Sequence, residues 1–367
     1  MLSPIGLYLH IPFCEGKCPY CDFYSRAATR AYKDAYTGAL IRSMRDWAKR
    51  TQKRADTLYI GGGTPVLLGR ENLIRVIGEA RQQLCEPKLH EATVEVNPNT
   101  ADKDTLRALR DAGINRLSVG MQSANEEELR ALGRRHSFSQ VQMAVADAKA
   151  AGFSNISVDL MIGLPGQTCS QVEKSVRAIE GLCVQHVSAY LLKVEEGTPY
   201  AIRGVQPAQE DMAADLYMLA CKRLEAAGFS QYEISNFALP GYESRHNLKY
   251  WDCAEYLGLG PAAHSFLNGR RFYYPRDLDG FIAGCEPKDD GPGGDMEEYV
   301  MLRLRLAQGL LYDAFEARFE IPLPAEIRQR AESPKMREFI EADVRGIRLT
   351  RQGFLVSNAV IGYLLEG

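Results

Sequence analysis

The sequence has no long apolar segment and no secretion signal. Within its 367 residues, no run approaches the roughly 20 apolar residues that cross a bilayer. The stretch MLSPIGLYLHIPF has neither a basic region nor a cleavable apolar core. The formal net charge is only −3, so the composition gives no reason to expect nucleic acid or an anionic membrane as a partner. We therefore expect a cytoplasmic protein without an integral membrane segment.

Cysteine is present, but in a pattern that excludes a disulfide framework. Nine is an odd number, and six of the nine cysteines are scattered along the chain. We interpret these six as small buried hydrophobic residues. They are Cys85, Cys169, Cys183, Cys221, Cys253 and Cys285. The other three lie within eight positions, in the stretch HIPFCEGKCPYCDFYS, and are Cys14, Cys18 and Cys21.

This thiol loop (residues 14–21) predicts a metal centre with an open coordination position. A zinc site would need a second pair of cysteines, and four-cysteine ligation of a 4Fe-4S cluster would need one more thiolate. Three thiolates on such a cluster leave one iron free to bind a small molecule. Three thiols placed there by chance would be an oxidation hazard without a metal, so we favour metal binding.

The first 200 residues alternate short, near-continuous apolar runs with helical patterns. The predicted strands are 6–11, 57–60, 92–96, 116–120, 155–162 and 186–192, and the predicted helices are 30–49, 71–84, 102–112, 126–132, 138–151 and 169–182. Asp102 and Asn125 stand where helix N-caps are expected. Six βα units in a row predict a parallel sheet that curls into an open or closed barrel. A doubly wound sheet is the alternative, but no GxGxxG motif opens the first unit.

The pattern changes after residue 200. A long amphipathic helix is expected over 207–229, and a strand over 230–239. The segment 285–299 is rich in Pro, Gly and Asp and is the best boundary candidate. The remainder predicts a small helical module that ends in a hairpin formed by GIRLT and GFLVSN. We therefore divide the chain into a barrel core (1–230), a barrel extension (231–290) and a small, mostly helical C-terminal domain (291–367).

Polar and glycine residues stand at the carboxyl ends of four consecutive predicted strands. The second strand ends in GGGTP, the third in Glu95 and Asn97, and the fourth in Gln122, while the fifth carries Asp159. Functional groups of a βα barrel gather at these ends. A carboxylate in an apolar strand is costly unless it meets a partner or a polar cavity. Together with the thiol loop, these residues predict a ligand site at one edge of the sheet.

The thiol spacing and the strand-end motifs resemble the radical S-adenosylmethionine (SAM) superfamily. The C-x3-C-x2-C loop carries the resemblance, and GGGTP, EVNP, RLSVGMQS, GRRHS and DLMIGLPGQT extend it to the HemN/HemW branch. The resemblance implies an α/β fold with a partial, TIM-like (β/α)6 barrel. It also implies a 4Fe-4S cluster whose open iron binds SAM, with the ligands Cys14, Cys18 and Cys21. The SAM contacts it implies are Tyr8, Gly62, Gly63, Thr64, Glu95, Gln122, Arg134 and Asp159, with Tyr20 beside the adenine.

Two departures favour the heme-chaperone subfamily, HemW, over the oxygen-independent coproporphyrinogen III dehydrogenases. The dehydrogenases carry a further cysteine where this sequence has Phe23. Too few residues also precede the thiol loop to match their N-terminal extension. The subfamily implies that heme is bound and passed to an acceptor hemoprotein, plausibly a respiratory one. Whether the chain is an enzyme stays open, with coproporphyrinogen dehydrogenase as the main alternative and a tetrapyrrole methyltransferase or cyclase as a weaker one.

The segment SRHNLKYW (244–251) resembles the HNxxYW signature that this subfamily associates with heme binding. The heme candidates in it are His246, Asn247, Tyr250 and Trp251. An imidazole can ligate iron, and two aromatic rings can cover a porphyrin. A histidine beside aromatic residues is, however, more often a hydrogen-bonded structural residue, and His264 and His10 are rival ligands. The sequence leaves the oligomeric state open, and a homodimer is compatible with it.

Overall fold

Twelve strands form one large sheet in the computed structural model, which describes residues 3–366. The first six lie side by side in chain order and run parallel. They are β1 (Ile5–Ile11), β2 (Ala55–Gly62), β3 (Glu91–Val96), β4 (Arg116–Gln122), β5 (Ile156–Ile162) and β6 (His186–Leu191). This order rules out a doubly wound sheet. The barrel is open, because the outer edge of β1 and the outer edge of β6 each pair with later strands.

Helices follow the parallel strands along the chain, and the longer ones cover the outer face of the sheet. They are α1 (Arg30–Arg50), α2 (Arg70–Gln83), α3 (Lys103–Asp111), α4 (Glu126–Ala131), α5 (Phe138–Ala150), α6 (Cys169–Leu182), α7 (Pro199–Ile202) and α8 (Glu210–Ala226), with a 3₁₀ helix at Pro65–Leu68. Asp102 caps α3 by accepting a hydrogen bond from the Thr105 N–H. The Asn125 side chain does not cap α4 and instead donates a hydrogen bond to the Glu128 carboxylate. The strands and helices predicted up to residue 182, and β6, are confirmed to within one or two residues.

The parallel strands alternate in character, which the prediction of near-continuous apolar runs missed. Their outer face is apolar and buried, and on β1 to β3 it includes Leu7, Leu9, Leu58, Ile60, Ala92 and Val94. Their inner face is polar. It includes Tyr8, His10, Thr57, Tyr59, Glu91, Thr93, Glu95, Arg116, Ser118, Ser157, Asp159, His186 and Ser188. A barrel core is usually filled by branched apolar side chains. This interior instead suits polar partners or ligands.

Later strands extend the sheet beyond both ends of the barrel. Beyond β6 lie two short strands in place of the single one predicted, β7 (Ser230–Gln231) and β8 (Asn236–Ala238). Beyond β1 lie β9 (Tyr256–Leu259), β10 (His264–Leu267), β11 (Arg270–Tyr273) and β12 (Lys288–Pro292). Two helices belong to this part, α9 (Arg245–Trp251) and α10 (Leu278–Ala283). The segment 285–299, expected to be a boundary, contains β12 and the first residues of the helix Met296–Arg303.

Helix α9 lies at the amino-terminal ends of the barrel strands. The His246 ring packs against Gly6, 3.1 Å from where a Cβ would stand. The Glu91 carboxylate accepts hydrogen bonds from the Ser244 hydroxyl (3.3 Å) and from the N–H groups of Arg245 (2.9 Å) and His246 (3.1 Å). A carboxylate here satisfies free N–H groups and complements the helix dipole. Glu91 therefore fixes α9 as the floor of the barrel.

A second, smaller hydrophobic core occupies the C-terminal part and includes Val300, Leu304 and Phe315. Its elements are α11 (Met296–Arg303), β13 (Leu310–Leu311), α12 (Tyr312–Phe319), α13 (Ala325–Ala331), a 3₁₀ helix (Pro334–Met336), β14 (Ile340–Ala342), β15 (Gly346–Leu349), α14 (Arg351–Leu355) and α15 (Ser357–Glu366). The predicted terminal hairpin was wrong, because β15 pairs with β13 and β14 while GFLVSN is helical. Within residues 3–366, no helix is long and apolar enough to cross a membrane.

We expect Glu91→Gln to lower the free energy of unfolding by about 2 kcal/mol, because the amide loses the negative charge and part of its acceptor capacity at α9. Urea unfolding followed by circular dichroism measures this. The control is Glu196→Gln in an exposed loop, which should change stability by less than about 0.5 kcal/mol. An equal loss in both variants would show that Glu91 does not hold the floor in place.

Candidate functional site

A cavity of about 330 Å³ runs through the barrel from the thiol loop to α9. Many residues singled out from the sequence line it. They are Cys14, Cys18, Tyr20, Cys21, Gly62, Gly63, Thr64, Glu95, Gln122, Arg134, Asp159 and Asn247. Tyr8, on the inner face of β1, is not part of the cavity lining, and its hydroxyl contacts His10 Nδ1 at 2.9 Å. The fold thus brings the three thiols and all the expected SAM contacts except Tyr8 to one cavity.

The thiol loop is held over the cavity by neighbouring strand ends. Cys14 Sγ lies 3.7 Å from Thr64 Oγ1, directly after β2. Arg134, in the segment after α4, donates a hydrogen bond to Cys18 Sγ at 3.7 Å. A cationic neighbour of this kind stabilises a thiolate, which is the form that binds metal. Two of the three thiols are therefore oriented by groups that also line the cavity.

The three thiols suit a cluster better than a single metal ion. Among residues 3–366, no three cysteine, histidine or acidic side chains converge as the ligands of one ion would. A 4Fe-4S cluster is a larger body whose thiolates bind different irons, so its ligands stand further apart. Cys14, Cys18 and Cys21 are free, half-buried and at the edge of the cavity. These residues fit a cluster, which when bound would supply an iron with an open position.

Glycines at the strand ends make room for functional side chains. A Cβ at Gly61 would stand 2.8 Å from the Glu95 carboxyl carbon, and one at Gly120 would stand 2.8 Å from Arg134 Nη2. Gly62 has φ of +108°, and its N–H donates to Glu95 Oε2 at 3.1 Å. Side chains rarely adopt that backbone conformation. The glycine run therefore positions Glu95 by both its small volume and its backbone.

Arg134 links the carboxyl ends of β3 and β4 above the cavity through hydrogen bonds. Its Nη2 donates to Asn97 Oδ1 (2.6 Å) and to the Gly120 carbonyl (3.0 Å). Asn97 in turn donates to Thr64 Oγ1 at 2.8 Å. Gln122 ends β4 after a register shift and has φ of +66°. Strained backbone and strand irregularities of this kind cluster at ligand sites.

Glu95 and Asp159 bring two carboxyl groups into the same cavity. Glu95 accepts a hydrogen bond from the Tyr59 hydroxyl (2.9 Å), and Asp159 accepts one from Ser118 Oγ (3.3 Å). Burial, helped by the neighbouring Asp159, raises the pKa of Glu95 to about 7. Burial likewise raises the pKa of Asp159 to about 6. A cation that enters the cavity would favour the charged form of both groups.

The structure places His246 in the core, outside the cavity lining. Its side chain is fully buried, with Nδ1 3.0 Å from Thr57 Oγ1 and Nε2 2.8 Å from the Tyr250 hydroxyl. Burial lowers the pKa of His246 to about 3, so the ring is neutral. Both ring nitrogens are occupied, and neither is free to bind iron in this conformation. Trp251, at the end of the same helix, is half-buried.

His264 is the exposed member of the three candidate histidines. His10 is buried, with Nδ1 next to Tyr8 and Nε2 2.9 Å from the Tyr24 carbonyl. His264 begins β10, and its ring stacks on Tyr273 with centroids 5.2 Å apart. Of the three, His264 is therefore the one whose ring a large planar ligand could reach without rearrangement of the core.

Sequence reasoning missed a set of cavity residues below the strand ends. They are Tyr59, Arg116, Ser118, Ser188 and Tyr190. Each lies on the inner face of a barrel strand. The alternation of polar and apolar residues along each strand was the signal that could have found them.

Comparisons with known proteins identify the class. The radical SAM superfamily model matches residues 8–179, and the HemN C-terminal domain model matches residues 295–356. The structure of coproporphyrinogen III oxidase (HemN) from Escherichia coli, a radical SAM enzyme, superimposes with a TM-score of 0.85. That match covers 98% of this chain and 90% of that chain, at 21% identity. Fold, thiol loop and cavity together define a radical SAM protein.

Curated relatives narrow the class to one family. The heme chaperone HemW of Lactococcus lactis is 34% identical over 98% of this chain and 96% of its own length. That of Bacillus subtilis is 35% identical over 98% of each chain. That of Mycobacterium tuberculosis is 36% identical over 99% of this chain and 95% of its own. This chain belongs to the HemW family.

We expect the stability of the ligand-free protein to fall between pH 5 and 7.5 more steeply in wild type than in Glu95→Gln. Between the ordinary pKa of 4.5 and the folded pKa of about 7, the folded chain keeps a proton that the unfolded chain releases. The stabilisation is thus fully present below pH 4.5 and lost as pH rises through 7. Between pH 5 and 7.5, the free energy of unfolding should therefore fall by about 2 kcal/mol more in wild type than in Glu95→Gln.

Urea unfolding at pH 5, 6 and 7.5 measures this difference. The matched control is Glu127→Gln, which replaces an exposed glutamate on α4 and should keep the wild-type pH dependence. The same slope in wild type and Glu95→Gln would contradict a protonated Glu95 in the folded cavity.

Proposed function

We propose that this protein is a heme chaperone that binds heme and passes it to an acceptor hemoprotein, plausibly a respiratory one. The observation that carries the proposal is its near full-length similarity, at 34–36% identity, to proteins named as heme chaperones. Phe23, in place of a further cysteine beside the thiol loop, supports it. Phe23 is 67% exposed and lies at the cavity edge, as an apolar contact for a planar ligand would.

We further propose that the thiol loop carries a 4Fe-4S cluster with bound SAM. Cys14, Cys18 and Cys21 would hold the cluster. The Glu95 carboxylate suits the ammonium group of SAM, because its oxygens accept hydrogen bonds and carry the opposite charge. The carboxylate and the ribose hydroxyls of SAM would be bound by Gln122, Arg134 and Asp159. Thr64 would lie beside the thiols, and Tyr20 beside the adenine. Tyr8 would act indirectly, by positioning His10.

For the heme iron, the geometry supports His264 over His246. His264 is exposed, and its charged neighbours are the Asp290 carboxylate and the guanidinium groups of Arg271 and Arg276. Guanidinium groups are suitable partners for the propionates of heme. Arg276 also pairs with Asp22 at 2.8 Å, directly after the thiol loop. A heme held by His264 would therefore lie beside the thiol loop.

Heme binding through the HNxxYW segment remains a proposal with a structural condition. For His246 to reach iron, its ring must leave Thr57 and Tyr250, and α9 must leave Glu91. Asn247 lines the cavity floor and would move with it. Tyr250 packs edge-to-face on Tyr256, with centroids 4.6 Å apart, so that contact would also be lost.

Anaerobic titration with heme, followed by the Soret band, tests both ligands. We expect wild type to saturate near one heme per chain. His264→Ala should weaken binding at least about tenfold and shift the band, because a direct ligand of the iron is lost. His246→Ala should lower stability by about 1–3 kcal/mol, because it leaves buried groups unpaired, but keep the band.

The control for this titration is His90→Ala, which removes an exposed histidine outside the candidate set. The opposite pattern, with loss in His246→Ala alone and faster hydrogen exchange in α9, would place the iron on that helix. No specific heme uptake by wild type would overturn the chaperone proposal.

We expect Cys18→Ser to lose the cluster and keep heme binding, because the two ligands use different residues. Iron and sulfide analysis after anaerobic reconstitution measures the first, and the heme titration measures the second. Cys183→Ser, which alters a cysteine at the end of α6 that is exposed and not buried as expected from the sequence, should keep both. Joint loss in Cys18→Ser would show that heme and cluster share one site.

Oxidative decarboxylation of coproporphyrinogen III is the second candidate function. The observation that favours it is the cavity itself, which keeps the polar strand-end residues expected to bind SAM. The reconstituted protein, incubated anaerobically with coproporphyrinogen III, SAM and a reductant, should form no product beyond background. Protoporphyrinogen formed over many turnovers would establish the enzyme and displace the chaperone proposal.

A further inference from the structure

The barrel interior contains a buried guanidinium that the proposed function does not use. Arg116, the first residue of β4, is only 2% exposed, and its Nε has no hydrogen-bond partner among residues 3–366. Glu95 and Asp159 feel its charge only through space, because their own hydrogen bonds go to hydroxyl and N–H groups. A buried charge without direct partners is strongly unfavourable unless a ligand or water supplies the contacts.

Arg116 lines the cavity well below the thiol loop. Along β4 its Cα lies two residues, about 7 Å, below Ser118, which pairs in register with Glu95 and donates a hydrogen bond to Asp159, the lowest of the expected SAM contacts. The cavity wall also offers the hydroxyls of Tyr59 and Ser188 and the amide of Asn247. This lower part of the cavity therefore combines one cation with several neutral hydrogen-bonding groups.

We propose that the cavity binds, beneath the SAM site, a second small molecule through its carboxylate group, and that Arg116 is the receptor for that group. A guanidinium matches a carboxylate with two parallel hydrogen bonds. Glu95 and Asp159 in the same cavity would repel a doubly charged phosphate more strongly than a singly charged carboxylate. The side-chain amide of Asn247, which also lines the cavity, can complete the contacts without adding charge.

This inference does not depend on the heme-chaperone proposal, because Arg116 Nε has no hydrogen-bond partner among residues 3–366 whatever the chain transports. Two sources could present the carboxylate, a small organic acid or a propionate side chain of a porphyrin. Both use the same chemistry at Arg116. The test therefore begins with a minimal probe, sodium propionate.

Thermal unfolding of the full chain, purified without cluster, is measured in increasing sodium propionate with chloride adjusted to constant ionic strength. We expect a saturable rise in wild-type Tm of about 2 °C or more. The rise should vanish in Arg116→Gln and shrink in Arg116→Lys, which keeps the charge but loses the paired hydrogen bonds. If Arg116→Gln does not fold, the lysine variant decides.

The matched control is Arg107→Gln, which alters an exposed arginine on α3 and should keep the full rise. An equal rise with chloride alone, or an undiminished rise in the foldable Arg116 variant, would overturn the proposal. It would then follow that water hydrates Arg116 in the cavity.

Equilibrium dialysis of radiolabelled propionate against cluster-reconstituted protein then locates the site. Saturating SAM should leave propionate bound, because the two sites are separate, and competition by SAM would overturn the proposal. Heme that displaces propionate would identify the carboxylate as that of a porphyrin. Heme that leaves propionate bound would identify a small organic acid.

Discussion

The polar interior of the barrel is the constraint on which the rest of the structure depends. Polar groups sealed away from water are tolerated only when each finds a hydrogen bond, an ion partner or a ligand. At the floor, Glu91 meets this condition by binding the start of α9. In the middle of the barrel, Asp159 accepts a hydrogen bond from Ser118, and Glu95 accepts one from Tyr59 at the cavity wall. The remaining polar surface lines a cavity, which is where ligands become part of the stable structure.

The same constraint explains why the strand ends are rich in glycine. A carboxylate or guanidinium can serve a ligand only if it is held in place, and its holding groups must not fill the cavity. At Gly61 and Gly120 the missing side chains provide the space that Glu95 and Arg134 occupy. Backbone N–H groups and the Asn97 amide then provide fixed hydrogen bonds. The ligand site is therefore preorganised by backbone more than by flexible side chains.

The sequence was sufficient to predict the strands and helices of the barrel, because the local signals in that part of the chain agree with each other. Apolar periodicity, N-caps and glycine stops all place the same helix and strand limits, and the thiol spacing and strand-end motifs mark the upper cavity. Arg116 was missed because the strands were taken as near-continuous apolar runs, and its importance appears only when six strands enclose it. The burial of the His246 ring was not evident from the sequence for a different reason, since a motif cannot show that Thr57, 189 positions away, contacts its ring.

The energetic cost of moving each part of the protein also favours different binding places for the two proposed ligands, heme and the small carboxylate. Releasing His246 would break two buried side-chain hydrogen bonds and the contacts of Glu91 with α9, and buried bonds of this kind cost about 1–3 kcal/mol each when one partner is left unpaired. The surface beside His264 and the thiol loop (the rim) is held by weaker contacts. The Arg276–Asp22 pair there is about half exposed, and such pairs contribute about 1 kcal/mol or less to stability. Movement that accompanies loading and release is therefore far less costly at the rim beside His264 than at the floor. A rigid floor and an adjustable rim suit a chain that keeps a small ligand inside its barrel while it exchanges a large one at the surface.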